Sequence, residues 1–206
     1  MTGSPPSRTT EMLVVRHGQS TWNEQHRWQG QADPPLSEFG REQAGMAAQS
    51  IGVVDAIVSS PQIRAAETAS IISAIIGVGP VQLVDGLQER SAGIWSGLTR
   101  SEIDEKWPGW VESDQRPEGW EYDDVLLPRV MGALESVATE FAGGKVLVIC
   151  HGGVIITMEK ELGVNDSRIP NLNGRVVTKT DGRLVGGDRL QLIPGEMITG
   201  GGSQRL

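Results

Sequence analysis

The sequence predicts an α/β fold, a three-layer α/β/α sandwich with a mostly parallel central sheet and a small lid segment. Four short apolar runs rich in β-branched residues punctuate the chain, and segments with helical periodicity fall between them. Residues 90–128 break that rhythm with four tryptophans, three prolines and nine acidic side chains against four basic ones. Strands alternating with helices imply layered α/β architecture with right-handed crossovers. Apolar runs without a polar alternation suit parallel strands covered on both faces.

Residues 12–15 form the first predicted strand. A helix follows over 37–51, where Ser37 supplies an N-cap hydroxyl. "AIVSS" places the second strand at 56–59, before a helix over 64–76. "VQLV" gives a third strand at 81–84, and a short helix is predicted at 99–107. A helix over 123–141 leads into the strand "KVLVIC" at 145–150, followed by a helix over 154–162. Residues 90–128 read as a lid or wall. Residues 1–11 and 198–206 read as a disordered N-terminal tail and a flexible C-terminal tail around one domain spanning 12–197.

Composition narrows the function. At 206 residues the chain can bury a substantial core without splitting into two domains. A net charge of -8 argues against a nucleic-acid or anionic-membrane partner, which would ask for a basic face. No apolar run approaches a membrane span, and the first residues lack a secretory pattern, so a cytoplasmic protein is expected. One cysteine and three histidines leave too few soft ligands for a Cys/His zinc site, and neither metal nor cofactor is expected.

Four short pieces carry the chemistry: Arg16-His17-Gly18, Arg64 in "SSPQIRAAETA", Glu89 in "LQERSAGIWSGLT" and His151 in "CHGG". Two of three histidines follow an apolar strand and precede a glycine, which lets backbone N–H groups approach an anion; "HGGV" also opens a helix whose N-terminus favours negative charge. Arg16 and Arg64 add planar forks suited to phosphate oxygens. Each residue has an ordinary alternative. Arg64 could pair with Glu67, Glu89 could be a solvated loop charge, and a histidine after a strand is commonly structural. Cys150 reads as packing and His26 as a surface or lid residue. "GQSTW" lacks the last glycine of a nucleophile elbow, and "GGKV" lacks the spacing of a P-loop.

Taken in order, these pieces resemble the histidine phosphatase superfamily, its phosphoglycerate mutase-like branch. The resemblance runs through "RHG", "STWNEQHRWQGQADPPLSEFGREQA", "SSPQIRAAETA", the Leu-x-Glu-x-x-x-Gly-x-Trp-x-Gly pattern from Leu87 to Gly97, and "CHGGVI". It implies that His17 is the nucleophile and that Arg16, Arg64 and His151 clasp the phosphoryl oxygens. It also implies further phosphate contacts from Asn23, Gln29 and Gly152, with Glu89 as proton donor. "GWEY" departs from the Gly-Glu-Ser sequence common in that branch, leaving the part played by Glu121 open.

The superfamily holds both phosphatases and mutases, so fold alone does not choose between them. A mutase grips a second phosphate, for which the acidic 90–128 stretch is poorly suited, and the long basic insertion of the family's mutases is missing here. The expected activity is therefore a metal-independent phosphomonoesterase acting on small organic phosphates, such as sugar or glycerate phosphates, and releasing inorganic phosphate. It is expected to work at mildly acidic to neutral pH. The alternatives are a bisphosphoglycerate-dependent phosphoglycerate mutase and, behind it, a non-catalytic binding module. A homodimer stays open, since relatives commonly dimerise.

Overall fold

The computed structural model describes residues 9–164 and 168–197, so residues 1–8 of the tail expected at 1–11, and the tail expected at 198–206, lie outside the described residues, whereas Thr10 and Glu11 of the expected tail belong to a strand. Six strands form one mixed sheet in the order β3-β2-β4-β1-β5-β6. The strands are β1 (Thr10–Arg16), β2 (Ala56–Ser59), β3 (Gln82–Leu83), β4 (Lys145–Cys150), β5 (Asn173–Thr180) and β6 (Arg183–Gln191). The first four run parallel, whereas β5 pairs antiparallel with β1 and turns back through a hairpin to pair antiparallel with β6. β1 starts at Thr10, two residues before the expected boundary, because the Thr10 hydroxyl is buried and donates to the Ala138 carbonyl at 3.0 Å.

Alternate residues of the central strands feed opposite cores, as a two-residue side-chain period requires. Met12, Val14, Val146 and Val148 face α5 (Asp123–Glu140) and α6 (Gly152–Glu161). Leu13, Val15, Leu147 and Ile149 face α2 (Glu38–Ala47) and α3 (Ile63–Ile76). This is the three-layer sandwich expected from the sequence.

Local chemistry explains the helix starts. The Ser37 hydroxyl accepts the Gly40 N–H at 3.0 Å to cap α2, and Thr99 forms a reciprocal capping box with Glu102 at the head of α4 (Arg100–Lys106). α2 ends at Ala47 rather than at residue 51, the last residues forming a turn. α6 starts at Gly152, two residues earlier than expected, directly after β4. A further turn of helix, α1 (Thr21–Glu24), is capped by Ser20.

The expected lid ends at residue 122, since α5 begins at Asp123 and buries Leu126 against the sheet. Trp28, Trp95, Trp107, Trp110 and Trp120 stack in tilted and edge-to-face pairs with centroids 5.5–6.3 Å apart, forming a separate small core with Ala92 and Ile103. Backbone bonds from Trp28 N–H to Leu98 O (2.8 Å) and from Gly97 N–H to Trp28 O (2.7 Å) join it to the loop after α1. Among the described residues, no helix is long and apolar enough to cross a membrane.

Candidate active site

Sheet register assembles the site. Arg16 pairs with Cys150 at the ends of β1 and β4, which sets His17 beside His151. The ladder continues past the strand ends, from His17 N–H to Cys150 O (3.0 Å) and from Ser60 N–H to Ile149 O (2.9 Å). Three chain segments remote in sequence therefore meet at the carboxyl end of the parallel strands, where open α/β sheets bind ligands.

His17 is only 2% exposed. Its Nδ1–H donates to the Gly18 carbonyl at 2.6 Å, and its Nε2 accepts from Arg64 Nε–H at 3.2 Å. The two bonds are mutually consistent with one tautomer, proton on Nδ1 and lone pair on Nε2. Burial pushes the His17 imidazole well below its usual range, and Arg64 and then Arg16 push it the same way; the Gly18 carbonyl opposes them. A neutral ring with an available lone pair results.

The arginines are held by carbonyls. Arg64 is fully buried, donating to Ala32 O at 2.8 Å and to Gly30 O at 2.9 Å, with Asp33 at 3.8 Å. Arg16 donates to Ile169 O at 2.8 Å. Burial lowers both guanidinium pKa values to about 10, still charged at neutral pH. Arg64 does not pair with Glu67, which instead takes Arg41 at 2.6 Å.

His151 lies behind His17, fully buried, with ring centroids 5.1 Å apart. Its Nε2 meets the Ser60 hydroxyl at 2.8 Å, and burial, then Arg64, His17 and the other arginines, hold it well below the usual imidazole range. The buried His151 Nδ1 and Arg16 Nε make no hydrogen bond among the described residues. Buried polar atoms without partners are uncommon, and here both lie beside His17.

Glu89 reaches the cleft from a loop. Its Oε1 accepts the Arg90 N–H at 2.8 Å, and its Oε2 accepts the Gly153 N–H at 3.1 Å, satisfying a donor in the first turn of α6. The Glu121 carboxylate takes Arg129 through both oxygens, at 3.0 and 2.8 Å, and Arg129 then donates to Gly86 O and Gln88 O. Glu121 thus braces the loop carrying Glu89 and does not line the cleft.

Arg16, His17, Asn23, Gln29, Arg64, Glu89 and Gly152 all line one cleft; His151 does not line it but packs against His17. The oxygens of Asn23 and Gln29 are taken, by Ser20 N–H at 3.1 Å and by the Ser20 hydroxyl at 2.7 Å, which leaves their amide N–H groups as the ends able to serve an anion. Gly18 plays a different part from the one expected: a Cβ there would lie 2.6 Å from Gly40 O, and its N–H goes to Thr68 at 3.1 Å. Close packing against α2, rather than approach to an anion, demands glycine at this position. His26 lies at the exposed rim. Cys150 is fully buried, with its thiol pKa raised by burial and by Glu89.

Sequence reasoning missed several contributors. Asn171 donates to His17 O at 2.8 Å, Ser60 holds His151, and Arg90, Arg168, Trp28 and Trp120 line the outer cleft. No local signal marks Asn171. Among the described residues, Glu89 is the only carboxylate lining the cleft, against four arginines, so none of the described acids of residues 90–128 lines it. Among the described residues, no group of three or more His, Cys, Asp or Glu could hold a metal ion.

The histidine phosphatase superfamily (branch 1) model matches residues 12–176. A metal-independent phosphoserine phosphatase of Arabidopsis thaliana is 38% identical over 159 residues, covering 72% of this chain and 67% of that protein. A bifunctional protein of Mycobacterium tuberculosis is 36% identical over 151 residues; the match covers 69% of this chain but only 41% of that longer protein. The solved structure of a mycobacterial glucosyl-3-phosphoglycerate phosphatase superposes with a TM-score of 0.73 at 30% identity, covering 84% of this chain and 91% of that one.

Proposed function

The chain belongs to branch 1 of the histidine phosphatase superfamily, and we propose that its cleft hydrolyses small phosphomonoesters by way of a phosphohistidine on His17. The neutral, oriented His17 imidazole carries this reading: its Nδ1–H is tied to Gly18 O, and its Nε2 lone pair lies among cationic donors. Nε2 attacks phosphorus in line while the ester P–O bond breaks, and the electron pair leaves on the alkoxide oxygen. Glu89 gives that oxygen its proton. Water then loses a proton to the Glu89 carboxylate and attacks phosphorus, and the P–N pair returns to Nε2 as inorganic phosphate departs.

Arg16, Arg64, His151 and the amides of Asn23 and Gln29 supply the donors for the phosphoryl oxygens as charge spreads over them. Arg16 Nε and His151 Nδ1, both buried without partners, favour that assignment. Arg64 Nε–H, which rests on His17 Nε2, turns to the phosphoryl group once it binds. The depressed pKa of His17 keeps the nucleophile unprotonated at mildly acidic pH.

For the organic part of the substrate, Arg90 and Arg168 line the cleft with Trp28 and Trp120, Arg90 being paired with Asp123 at 2.6 Å and donating to Glu121 O at 2.7 Å. Such a lining favours esters with a polar body. The names of two relatives, acting on phosphoserine and on glucosyl-3-phosphoglycerate, point the same way. The relatives named as phosphatases favour hydrolysis over a mutase reaction.

The test is phosphate release from p-nitrophenyl phosphate, phosphoserine, phosphoglycerates and sugar phosphates, with EDTA present and no bisphosphoglycerate. Release at EDTA-insensitive rates is expected. Silence across the panel, with isomerisation of 3-phosphoglycerate once bisphosphoglycerate is added, would give the reaction to a mutase.

A further inference from the structure

Gln62 stands two residues before Arg64, is 5% exposed and does not line the cleft. It occupies the N-cap position of α3 yet makes no side-chain capping bond. Its polar atoms go elsewhere. Oε1 accepts the Glu89 backbone N–H at 2.7 Å, and Nε2 donates to Gly30 O at 3.2 Å and to Ala32 O at 3.4 Å. Those two carbonyls are the ones that hold the Arg64 guanidinium. One buried amide therefore ties the backbone of Glu89 to the anchors of Arg64.

The Gly30 carbonyl is itself a fixed reference. Gly30 has φ +52, and a Cβ there would fall 2.6 Å from Ala92 N, so this turn accepts only glycine and seats closely on the lid. The Gln62 bridge thus spans three parts of the site: the lid-bound turn, the phosphate-side arginine and the loop bearing Glu89. A buried amide costs desolvation unless its bonds are made, and here both donors and one acceptor are used.

We propose that Gln62 is a positioning residue for proton transfer: by holding the Glu89 backbone N–H, it sets the Glu89 carboxyl at the distance from the phosphoryl site that leaving-group protonation requires. The inference rests on Glu89 being the proton donor. It concerns geometry, because Gln62 itself touches neither substrate nor phosphate. A donor displaced by a fraction of an ångström slows the step that needs its proton and spares the step that does not.

The experiment compares Gln62→Leu, Glu89→Gln and the double variant on phosphoserine and p-nitrophenyl phosphate. Gln62→Met serves as a second packing-conserving variant, and circular dichroism confirms that each protein is folded. In Gln62→Leu, kcat/KM for phosphoserine, which ends at release of the alcohol, is expected to fall about tenfold more than kcat/KM for the aryl ester. Added to Glu89→Gln, the same change is expected to bring no further loss on phosphoserine, because its effect acts through Glu89. Equal losses on the two esters, a loss that adds fully to that of Glu89→Gln, or no loss at all would overturn the proposal. If Glu89→Gln itself lowers kcat/KM equally for both esters, the donor assignment fails first, and that outcome is distinguishable from failure of the Gln62 bridge alone.

Discussion

Replacing Glu89 by glutamine keeps the length and shape of the side chain while removing its transferable proton. In the folded protein the carboxylate accepts two backbone N–H groups, from Arg90 at 2.8 Å and Gly153 at 3.1 Å. An amide offers one oxygen, so one of these charge-assisted bonds is lost, at a local cost of about 1.5–3 kcal/mol, too little to unfold a domain of this size. The chemical cost is separate. General acid catalysis contributes about 10²–10⁴-fold, which is about 2.7–5.5 kcal/mol of barrier, and in the step that phosphorylates His17 only a leaving group that needs a proton feels it. In Glu89→Gln, kcat/KM for phosphoserine, which ends at release of the alcohol, is expected to drop by that factor. For p-nitrophenyl phosphate, whose phenolate departs without a proton, kcat/KM is expected to stay within about tenfold of the parent, while kcat for both esters falls with the shared water step. Parallel losses of kcat/KM on the two esters would refute the donor role given to Glu89.

Acid stability supplies a second prediction. Burial and the neighbouring arginines hold His17 and His151 neutral in the folded state, whereas in the unfolded chain each takes up a proton near pH 6.5. The stability they contribute is complete above that pH and is lost as pH falls through it, by about 1.4 kcal/mol per pH unit for each histidine. Denaturant melts between pH 7 and 5 should show this slope, and His151→Asn should make it shallower; an unchanged slope would contradict the burial argument. Gly18→Ala puts a methyl 2.6 Å from Gly40 O and is expected to cost about 1–3 kcal/mol, read as a lower urea midpoint. An unshifted midpoint would show that the contact between Gly18 and α2 yields easily.

Much of this architecture is legible in sequence because the central strands are covered on both faces. β1, β2 and β4 read as short apolar runs, and each delivers its site residues at its carboxyl end. The β5–β6 hairpin was missed because it lies at the sheet edge, and β6 alternates between half-exposed and exposed residues with several charges. Its turn was nonetheless written locally: Asp181-Gly182, with φ of 51° and 76°, carries the Asp-Gly signal of a tight hairpin.

The residues that gather at the cleft were marked by motifs, but those that brace them were not. Asn171 reaches His17 across 154 positions, Ser60 meets His151 across 91, and Gln62 meets Glu89 across 27. Such contacts depend on how segments fold together, and residue type alone gives no hint of them. A count of acids over residues 90–128 likewise does not say which of them line the cleft, and among the described residues none does.

The central claim is a phosphoryl group on His17, and trapping it is the most direct measurement. The protein is mixed with radiolabelled p-nitrophenyl phosphate, quenched in alkali within milliseconds, and digested for peptide mapping. The account predicts an acid-labile, alkali-stable phosphoryl group on the peptide containing His17, absent from His17→Ala, whose turnover should also be abolished. Label on another residue, or His17→Ala turning over at the parent rate, would contradict it.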